Sequence, residues 1–403
     1  MMQIAMIAAR FSSDEADGLR RAMAAWKHTG HIEKFQSKLI EGMVDNGYDR
    51  PFSEAIFEQV KGFGDYGFPE SHAASFALLV VVSSWLKCHE PACFLAAMLD
   101  SQPMGFYSAS QLVQDARRHG VEVRPVDVTL SELDSTLEAR SHDASHLPSA
   151  DPQYAGFQGR PDQPAVRLGL RRIVSLSQAG ARRLLEARTF APFTSTEDLA
   201  VRADLDAKDM AALAGADALM RLSGHRRQQV WDATAQRRSP ALLKGVPIHE
   251  APLRLPEASE GEEIVGDYAS LNLTLRRHPL ALLRPRMARF RLLSAQELSD
   301  VPHGRTVRAC GIVTMRQRPQ TAKGTIFVSL EDETGIVNVI VWHDVVEEQR
   351  EPLLKSKLLA VQGVWQRDTA SGGQVRHLLA QRFKDLTPWL GRLAEGRRSR
   401  DFH

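Results

Sequence analysis

Hydrophobic residues are densest between Ala73 and Leu86, where almost every position is apolar. A segment that is apolar on all sides predicts a helix buried on every face. This one is too short, and too interrupted by Ser83 and Lys87, to cross a membrane, which takes about 20 apolar residues. A second helix is predicted from Pro91 to Leu99. We therefore expect the central packing element of a helical domain here.

Helical spacing also marks segments on both sides of this stretch. The predicted helices are Met1–Ala9, one that starts at a Ser12/Glu15 capping box, Ile32–Asn46, Pro51–Lys61, Ser110–His119 and Ile264–Leu275. No capping residue precedes the first of them, so we expect the chain to begin inside an element.

Five strands are predicted between Arg305 and Leu386. They are placed at Thr306–Met315, Gly324–Glu331, Ile336–Trp342, Leu358–Gln366 and Val375–Gln381, with a helix near Asp344–Glu351 between the third and fourth. That order is the one an OB-fold barrel requires. Alternation along the second strand puts Phe327 on the polar face, where a nucleic-acid base could stack on it. The alternative is a partly covered surface aromatic.

Residues 136–240 combine a polar loop, predicted to be mobile between Ser141 and Pro164, with pairs of basic helices. Two such pairs, over Arg171–Arg188 and Asp206–Ala235, resemble helix-hairpin-helix units. In such a unit a glycine at the turn lets backbone N–H groups approach a DNA phosphate.

The two hairpins differ at the turn. The second keeps a glycine, Gly224, followed by Arg226 and Arg227, which we take as candidate DNA contacts. The first has none in Val174–Leu176, so DNA binding there stays open against a role as a solvated packing unit.

Composition narrows the class of protein. At 403 residues with 43% hydrophobic and 25% charged residues, the chain is long enough for two to four domains. Its 51 Lys and Arg nearly balance 49 Asp and Glu, so nucleic acid must be bound by local basic patches. Three cysteines, and the lack of a recognisable signal peptide or membrane span, favour a cytoplasmic protein with no membrane partner.

Three short patterns resemble functional motifs. A G-x-G-x-x-G runs from Gly62 to Gly67, but it follows a helical segment instead of the strand that a dinucleotide site needs. Cys88, His89 and Cys93 lack the usual zinc-ligand spacing, so no metal is predicted. Asp204-Leu205-Asp206 could present carboxylates to metal ions, but it lies before a helix, where Asp206 is a natural N-cap.

Longer motifs carry a resemblance to a known family. The stretch GFGDYGFPESHAASFALL with WLKCHEPACFLAAML resembles the fingers of bacterial C-family DNA polymerases. RRAMAAWK and the final SRDFH resemble its error-prone branch. The resemblance implies a multidomain, mainly α protein with a C-terminal all-β OB-fold barrel. Its parts would be fingers (1–135), tandem hairpins (136–240), a connector with a helix (241–300), the barrel (301–386) and a tail (387–403).

The resemblance also implies candidate site residues. Arg20 and Arg21, with Lys27 as a weaker candidate, would reach the triphosphate of an incoming dNTP, because the Arg fork binds phosphate oxygens and stays charged. In the barrel we expect DNA contacts from Phe327 and from a basic loop that contains Arg316, Arg318 and Lys323.

No motif of the catalytic palm is present, so the catalytic aspartates and their Mg²⁺ ions are expected outside this chain, and no cofactor is predicted within it. The sequence is interpreted as the C-terminal portion of an error-prone, translesion-type DNA polymerase that is inactive alone. Expected partners are template and primer DNA, dNTP, accessory mutagenesis proteins and, through them, the sliding clamp. The alternative is a non-catalytic DNA-binding or scaffold protein.

Overall fold

The structure, a computed structural model, describes residues 2–24, 33–65, 70–104, 107–141, 163–235, 253–319, 322, 324–368, 375–396 and 400–402. Two compact units divide the chain between Trp85 and Leu86, and each is described by itself.

The first unit is helical. Its helices are α1 (Met2–Ala9), α2 (Ser13–Ala24), α3 (Glu33–Asp45), α4 (Arg50–Asp65) and α5 (Glu70–His89), the last of which continues beyond this unit. The predicted capping box at the start of α2 is confirmed, because the Ser12 amide donates to Glu15 and the Glu15 amide donates to Ser12 Oγ. Apolar side chains of α1 to α4 form the core, with Leu19, Leu39 and Met43 buried at its centre.

The prediction that Ala73–Leu86 is buried on every face is wrong for this structure. Phe76, Leu79, Val81 and Trp85 expose between 51% and 65% of their surface. The core of the first unit is built by α1 to α4 and contains no residue of α5. Apolar composition predicts burial only where other elements cover the helix, and none in the described part of this unit does so.

Helices and a small sheet form the first half of the second unit. The helices are α6 (Pro91–Asp100), α7 (Ala109–Arg118), α8 (Gln178–Phe190), α9 (Thr196–Arg202), α10 (Ala207–Gly215), α11 (Met220–Ser223), α12 (Arg226–Ala235) and α13 (Glu260–Leu271). The sheet has the order β1 (Val123–Arg124), β3 (Ala165–Arg167), β2 (Thr136–Glu138).

One hydrophobic core runs through this half, from Ala92 in α6 to Leu273 after α13. The predicted boundary at 135/136 therefore falls within this core, whereas the boundary at 240/241 lies outside the described residues. The loop predicted between Ser141 and Pro164 lies almost wholly outside the described residues.

The predicted OB-fold barrel is confirmed. Its strands are β4 (Thr306–Gln317), β5 (Ile326–Glu331), β6 (Ile336–Val341), β7 (Leu358–Arg367) and β8 (Arg376–Asp385). The order β5-β6-β8-β7-β4, together with the β4–β5 pairing, closes the sheet on itself. Between β6 and β7 lie α16 (His343–Glu348) and α17 (Arg350–Lys355).

Further elements contact the barrel, and one of them contributes Leu298 to its inner core. They are α14 (Pro279–Arg289), α15 (Ala295–Ser299), α18 (Leu393–Gly396) and a ninth strand, β9 (Arg400–Phe402). Leu280 and Met287 of α14 cover the outward side chains of β4 and β7, among them Ile312 and Leu358. The strand β9, which we did not predict, pairs in parallel with Met315–Gln317 of β4.

Among the described residues no single helix is long and apolar enough to span a membrane. One bent helix pair, residues 74–89 and 91–100, is long and apolar enough to span a membrane only when its two helices are taken together.

Candidate nucleic-acid interface

A row of outward-facing side chains crosses the barrel at Phe327, as the alternation along β5 predicted. Ile326 and Val328 are buried, whereas Phe327 is 38% exposed. Its cross-strand neighbours are Gln317 on β4 and Ile340 on β6. An exposed ring fixed between two strands is suited to base stacking. We call this row, with the adjoining Arg318, the Phe327 surface.

Arg318 directly follows β4 and is exposed. No carboxylate of the described residues pairs with it, so its charge is available to a phosphate. Lys323, the other cation predicted in this loop, lies outside the described residues.

Arg316 is corrected from a DNA contact to a buried residue. We placed it in the loop because the predicted strand ended at Met315, but β4 continues to Gln317 and its register shifts between Val313 and Met315. The shift turns Arg316 inward, where it is 5% exposed. Its guanidinium donates to the carbonyl oxygens of Leu353 at 2.8 Å and Ser356 at 2.5 Å.

The second hairpin turn has the backbone conformation that its glycine predicted. Gly224 has φ of 75° and ψ of −140°, in the range that residues with a side chain rarely adopt. A Cβ at this position would meet nothing within 4 Å, so the turn is open on its outer side. The Gly224 amide already donates to Met220, at 3.0 Å, so it is not a spare donor for phosphate.

Arg226 is also corrected. It begins α12 but is 8% exposed, because its side chain enters a cluster of carboxylates. It pairs with Asp267 and, at 2.9 Å, with Glu263, both on α13. Arg276 joins the cluster through Asp217 at 3.0 Å. These contacts join the hairpin to α13 and leave Arg226 out of the proposed DNA contacts.

The Glu263 carboxyl in this cluster is partly removed from water. Burial raises the pKa of the Glu263 carboxyl above its ordinary value, against the opposing effect of Arg226 and Arg276. The arrangement is therefore structural, because its arginines are committed to internal carboxylates.

Arg227 is exposed enough to contact DNA, but it is also part of an internal ion pair. Its side chain is 41% exposed, but it also forms a forked pair with Glu262 at 3.0 and 3.1 Å. A groove of about 740 Å³ lies beside the same turn and is lined by Ser223, Trp231 and Arg254. Trp231 is 52% exposed and lies on α12, where a base could reach it.

The first hairpin is less suited to DNA. The first of its two predicted basic helices is only a 3-10 turn at Leu170–Arg172, and Ser175 takes the positive φ of 69°. Arg183 donates to the carbonyls of Ala203 and Asp204, both at 3.0 Å. Internal contacts therefore occupy one of the cations of this hairpin.

The predicted nucleotide-binding residues are only partly described. Arg20 and Arg21 lie on α2, but their side chains, like the whole of Lys27, are outside the described residues. Their role stays a prediction.

Asp206 is confirmed as an N-cap, since its side chain accepts from the Asp209 amide at 2.8 Å. In the part of the chain that the structure describes, no group of three or more His, Cys, Asp or Glu side chains could hold a metal ion. The carboxylates around Arg226 are paired with arginines, so they do not fit a two-metal polymerase site, which needs carboxylates that are free to bind metal ions.

One cluster of arginine and aromatic side chains was not predicted from the sequence. Arg286 lies 3.9 Å from the ring centroid of Trp389, and Phe290 lies 5.6 Å from the same ring. The alternation of basic and apolar residues in Arg286–Leu292 was an available signal, but Trp389 is about 100 positions away.

Three family models match parts of the chain. The bacterial DNA polymerase III alpha subunit finger domain matches residues 1–47, the helix-hairpin-helix motif 120–229, and the OB-fold nucleic acid binding domain 307–386.

Curated relatives match the chain throughout. Proteins named error-prone DNA polymerase from Ralstonia nicotianae, Azoarcus sp. and Burkholderia pseudomallei are 54%, 53% and 52% identical to it over 100% of its length. The chain covers 36% of each, and so spans about a third of the length of the relatives it matches.

Proposed function

We propose that this chain, a homologue over its whole length of part of the error-prone DNA polymerases, is the DNA-handling, C-terminal portion of such a polymerase. The observation that carries the proposal is the identity of about one half, sustained across finger, hairpin and OB-fold regions in one chain. In this proposal the polymerase acts in translesion synthesis during DNA repair, in the cytoplasm.

We assign the template and the dNTP to different parts of the chain on the basis of their side chains. The Phe327 surface offers an exposed ring and the cation of Arg318, which suit a single-stranded template. Arg20 and Arg21 are proposed to hold the dNTP triphosphate. Among the described residues no group of carboxylates could hold a metal ion, and in this proposal the catalytic aspartates and Mg²⁺ lie outside this chain.

Two kinds of partner are proposed beyond DNA and dNTP. Accessory mutagenesis proteins would recruit the polymerase, and the sliding clamp would be reached through them.

The second candidate is a DNA-binding or scaffold protein without catalysis. It is favoured by the combination of two nucleic-acid-binding modules with the lack of a metal-binding cluster in the described residues.

The first prediction tests the Phe327 surface by fluorescence anisotropy of a labelled oligothymidine with the full chain. Phe327→Ala should weaken binding by roughly fivefold or more, because stacking contributes about 1–3 kcal/mol per base. Arg318→Gln should reduce the slope of log Kd against log salt by about 0.7, the value for one phosphate contact to a single strand.

Arg350→Gln is the matched control, because Arg350 is an exposed arginine of the same barrel on α17. Failure of the wild-type chain to bind at low salt would refute the DNA-handling role, and wild-type affinity in both variants would remove Phe327 and Arg318 from it.

A further inference from the structure

The C-terminal half of α14 carries arginines in contrasting environments. Arg284 is neutralised by Glu333 at 2.5 Å and Asp332 at 3.3 Å. Arg286 instead lies over the Trp389 ring, and Arg289 is exposed. Among the described residues no carboxylate pairs with Arg286 or Arg289, so both keep their full charge at the surface.

An aromatic pair stands beside these arginines. Phe290 exposes 51% of its surface, and its ring is tilted by 49° from that of Trp389. Trp389 is half-buried and anchored, because its amide donates to Leu386 at 2.8 Å and the next residue, Leu390, is buried. Phe290 is therefore an exposed ring that rests on a fixed neighbour.

More cations continue this surface onto the barrel. The Leu293 amide donates to the Arg308 carbonyl at 2.8 Å, which brings the end of α14 against β4. Strand pairing then aligns Arg308 with Gln362 on β7 and Arg382 on β8. All three point away from the barrel core, because their neighbours Ala309, Val361 and Phe383 pack into it.

The segments that carry this surface are rich in cations, and the nearby acidic residues Glu347, Glu348 and Glu351 are on the helices that pack on β8. Residues 286–293, 305–310, 360–364 and 380–390 contain seven arginines and lysines but a single acidic residue, Asp385. Asp385 accepts from the Thr387 amide at 2.8 Å, which orients it within its own turn. A surface with many cations and an exposed ring matches a flexible polyanion that carries planar groups.

We propose that Phe290, Arg289, Arg308 and Arg382 form a second binding surface for single-stranded nucleic acid, which we call the Phe290 surface. Phosphates would lie along the cations while a base stacks on Phe290. The proposal rests on the proposed DNA-handling function, but it uses the outward face of β4, β7 and β8, whereas the Phe327 surface lies on β5, β6 and the end of β4. One strand longer than a single barrel site could therefore contact both.

Photo-cross-linking of the wild-type chain tests the proposal directly. The probe is an oligothymidine of about 30 nucleotides with scattered 5-bromodeoxyuridines, which exceeds the roughly 4–16 nucleotides that one OB fold covers. Digestion at glutamates separates the two rings, because Glu297 lies between Phe290 and Phe327. We expect cross-links in both peptides, and cross-links in the Phe327 peptide alone would overturn the proposal.

Variants supply an independent readout. The triple change Arg289→Gln/Arg308→Gln/Arg382→Gln should lower the salt slope by about 2, whereas Arg350→Gln should leave it unchanged. Phe290→Ala should weaken binding roughly five- to 150-fold, and Phe290→Trp should restore it, which separates stacking from a folding defect.

Three further results would count against the surface. Wild-type slope and affinity in the triple variant and in Phe290→Ala would overturn it. So would competition by polyglutamate as strong as that by oligothymidine of equal charge, since recognition would then be of charge alone. If the wild-type chain bound no oligonucleotide at low salt, the proposed function would fail with it, whereas loss of binding only in Phe327→Ala would leave that function standing.

Discussion

Glu138 shows how single ion pairs fix the small sheet. Its carboxylate accepts from Arg167 at 2.7 and 2.9 Å and from Arg124 at 2.5 Å. The hydrogen bonds from Arg167, more than those from Arg124, lower the pKa of Glu138 to about 2. Arg167 is buried, so loss of this carboxylate would leave its charge without its main partner.

We predict that Glu138→Gln lowers the free energy of unfolding by about 1.5–3 kcal/mol at neutral pH, the range for hydrogen bonds to charged groups. Because the pKa is lower in the folded state, the stabilisation is complete above the ordinary value of 4.5 and disappears as the pH falls towards 2. Urea titrations at several pH values measure the difference between variant and wild type.

Glu351→Gln is the control, because its pair with Lys355 is fully exposed, and it should leave the unfolding curve unchanged at every pH. A cost for Glu138→Gln that is the same at pH 7 and pH 2 would show that the ion pair is not its source.

Local chemistry decided which residues could be assigned from the sequence. Phe327 and Asp206 were placed correctly, because strand alternation and helix capping depend on near neighbours. Arg226 and Arg316 were not, because the groups that bury them, such as Asp267 and Leu353, are about 40 positions away. A basic residue in a sequence indicates charge, but its availability depends on tertiary partners.

At the scale of elements, α5 is the largest departure from expectation. Its apolar side chains are exposed although its sequence predicts a core helix. Replacing an exposed side chain removes no buried contact, so the change in stability should be small.

We predict that Leu79→Gln/Val81→Gln changes the free energy of unfolding by less than about 1 kcal/mol, whereas Leu95→Ala in the buried α6 costs about 2–5 kcal/mol. The double variant should also reduce the fluorescence of an added hydrophobic dye. Strong destabilisation by the double variant would mean that α5 is covered in solution.

Elements were also predicted correctly where neighbouring residues specify them and missed where a partner distant in sequence does. Every predicted barrel strand overlaps an observed one, because alternation and turn residues specify each strand within its own sequence. The strand β9 was missed, since three residues give no usable pattern and its partner, Met315–Gln317, is about 85 positions earlier.

At the scale of the whole molecule, the chain is expected to bind DNA without copying it. We predict that the isolated chain does not extend a primer at any Mg²⁺ concentration. A polymerase of full length that carries this chain should do so, with kcat/KM for dNTP reduced ten- to hundredfold by Arg20→Ala or Arg21→Ala. Loss of one charge-assisted contact costs about 1.5–3 kcal/mol, which corresponds to that range.

Gel-based primer extension measures both parts, and DNA affinity measured in parallel should stay near wild type in the arginine variants. Extension by the isolated chain would refute the proposed division of labour. Unchanged dNTP kinetics in both variants would remove Arg20 and Arg21 from nucleotide binding.

The pairing of β9 with β4 has a practical consequence for handling this protein. Strands in a sheet are about 4.8 Å apart, so the backbone at Phe402 lies only about 10 Å from that of Phe327, across β4. A purification tag or fluorophore fused after residue 402 would therefore emerge beside the Phe327 surface and interfere with its measurement. Labels for binding assays are better attached at the opposite terminus or to the oligonucleotide.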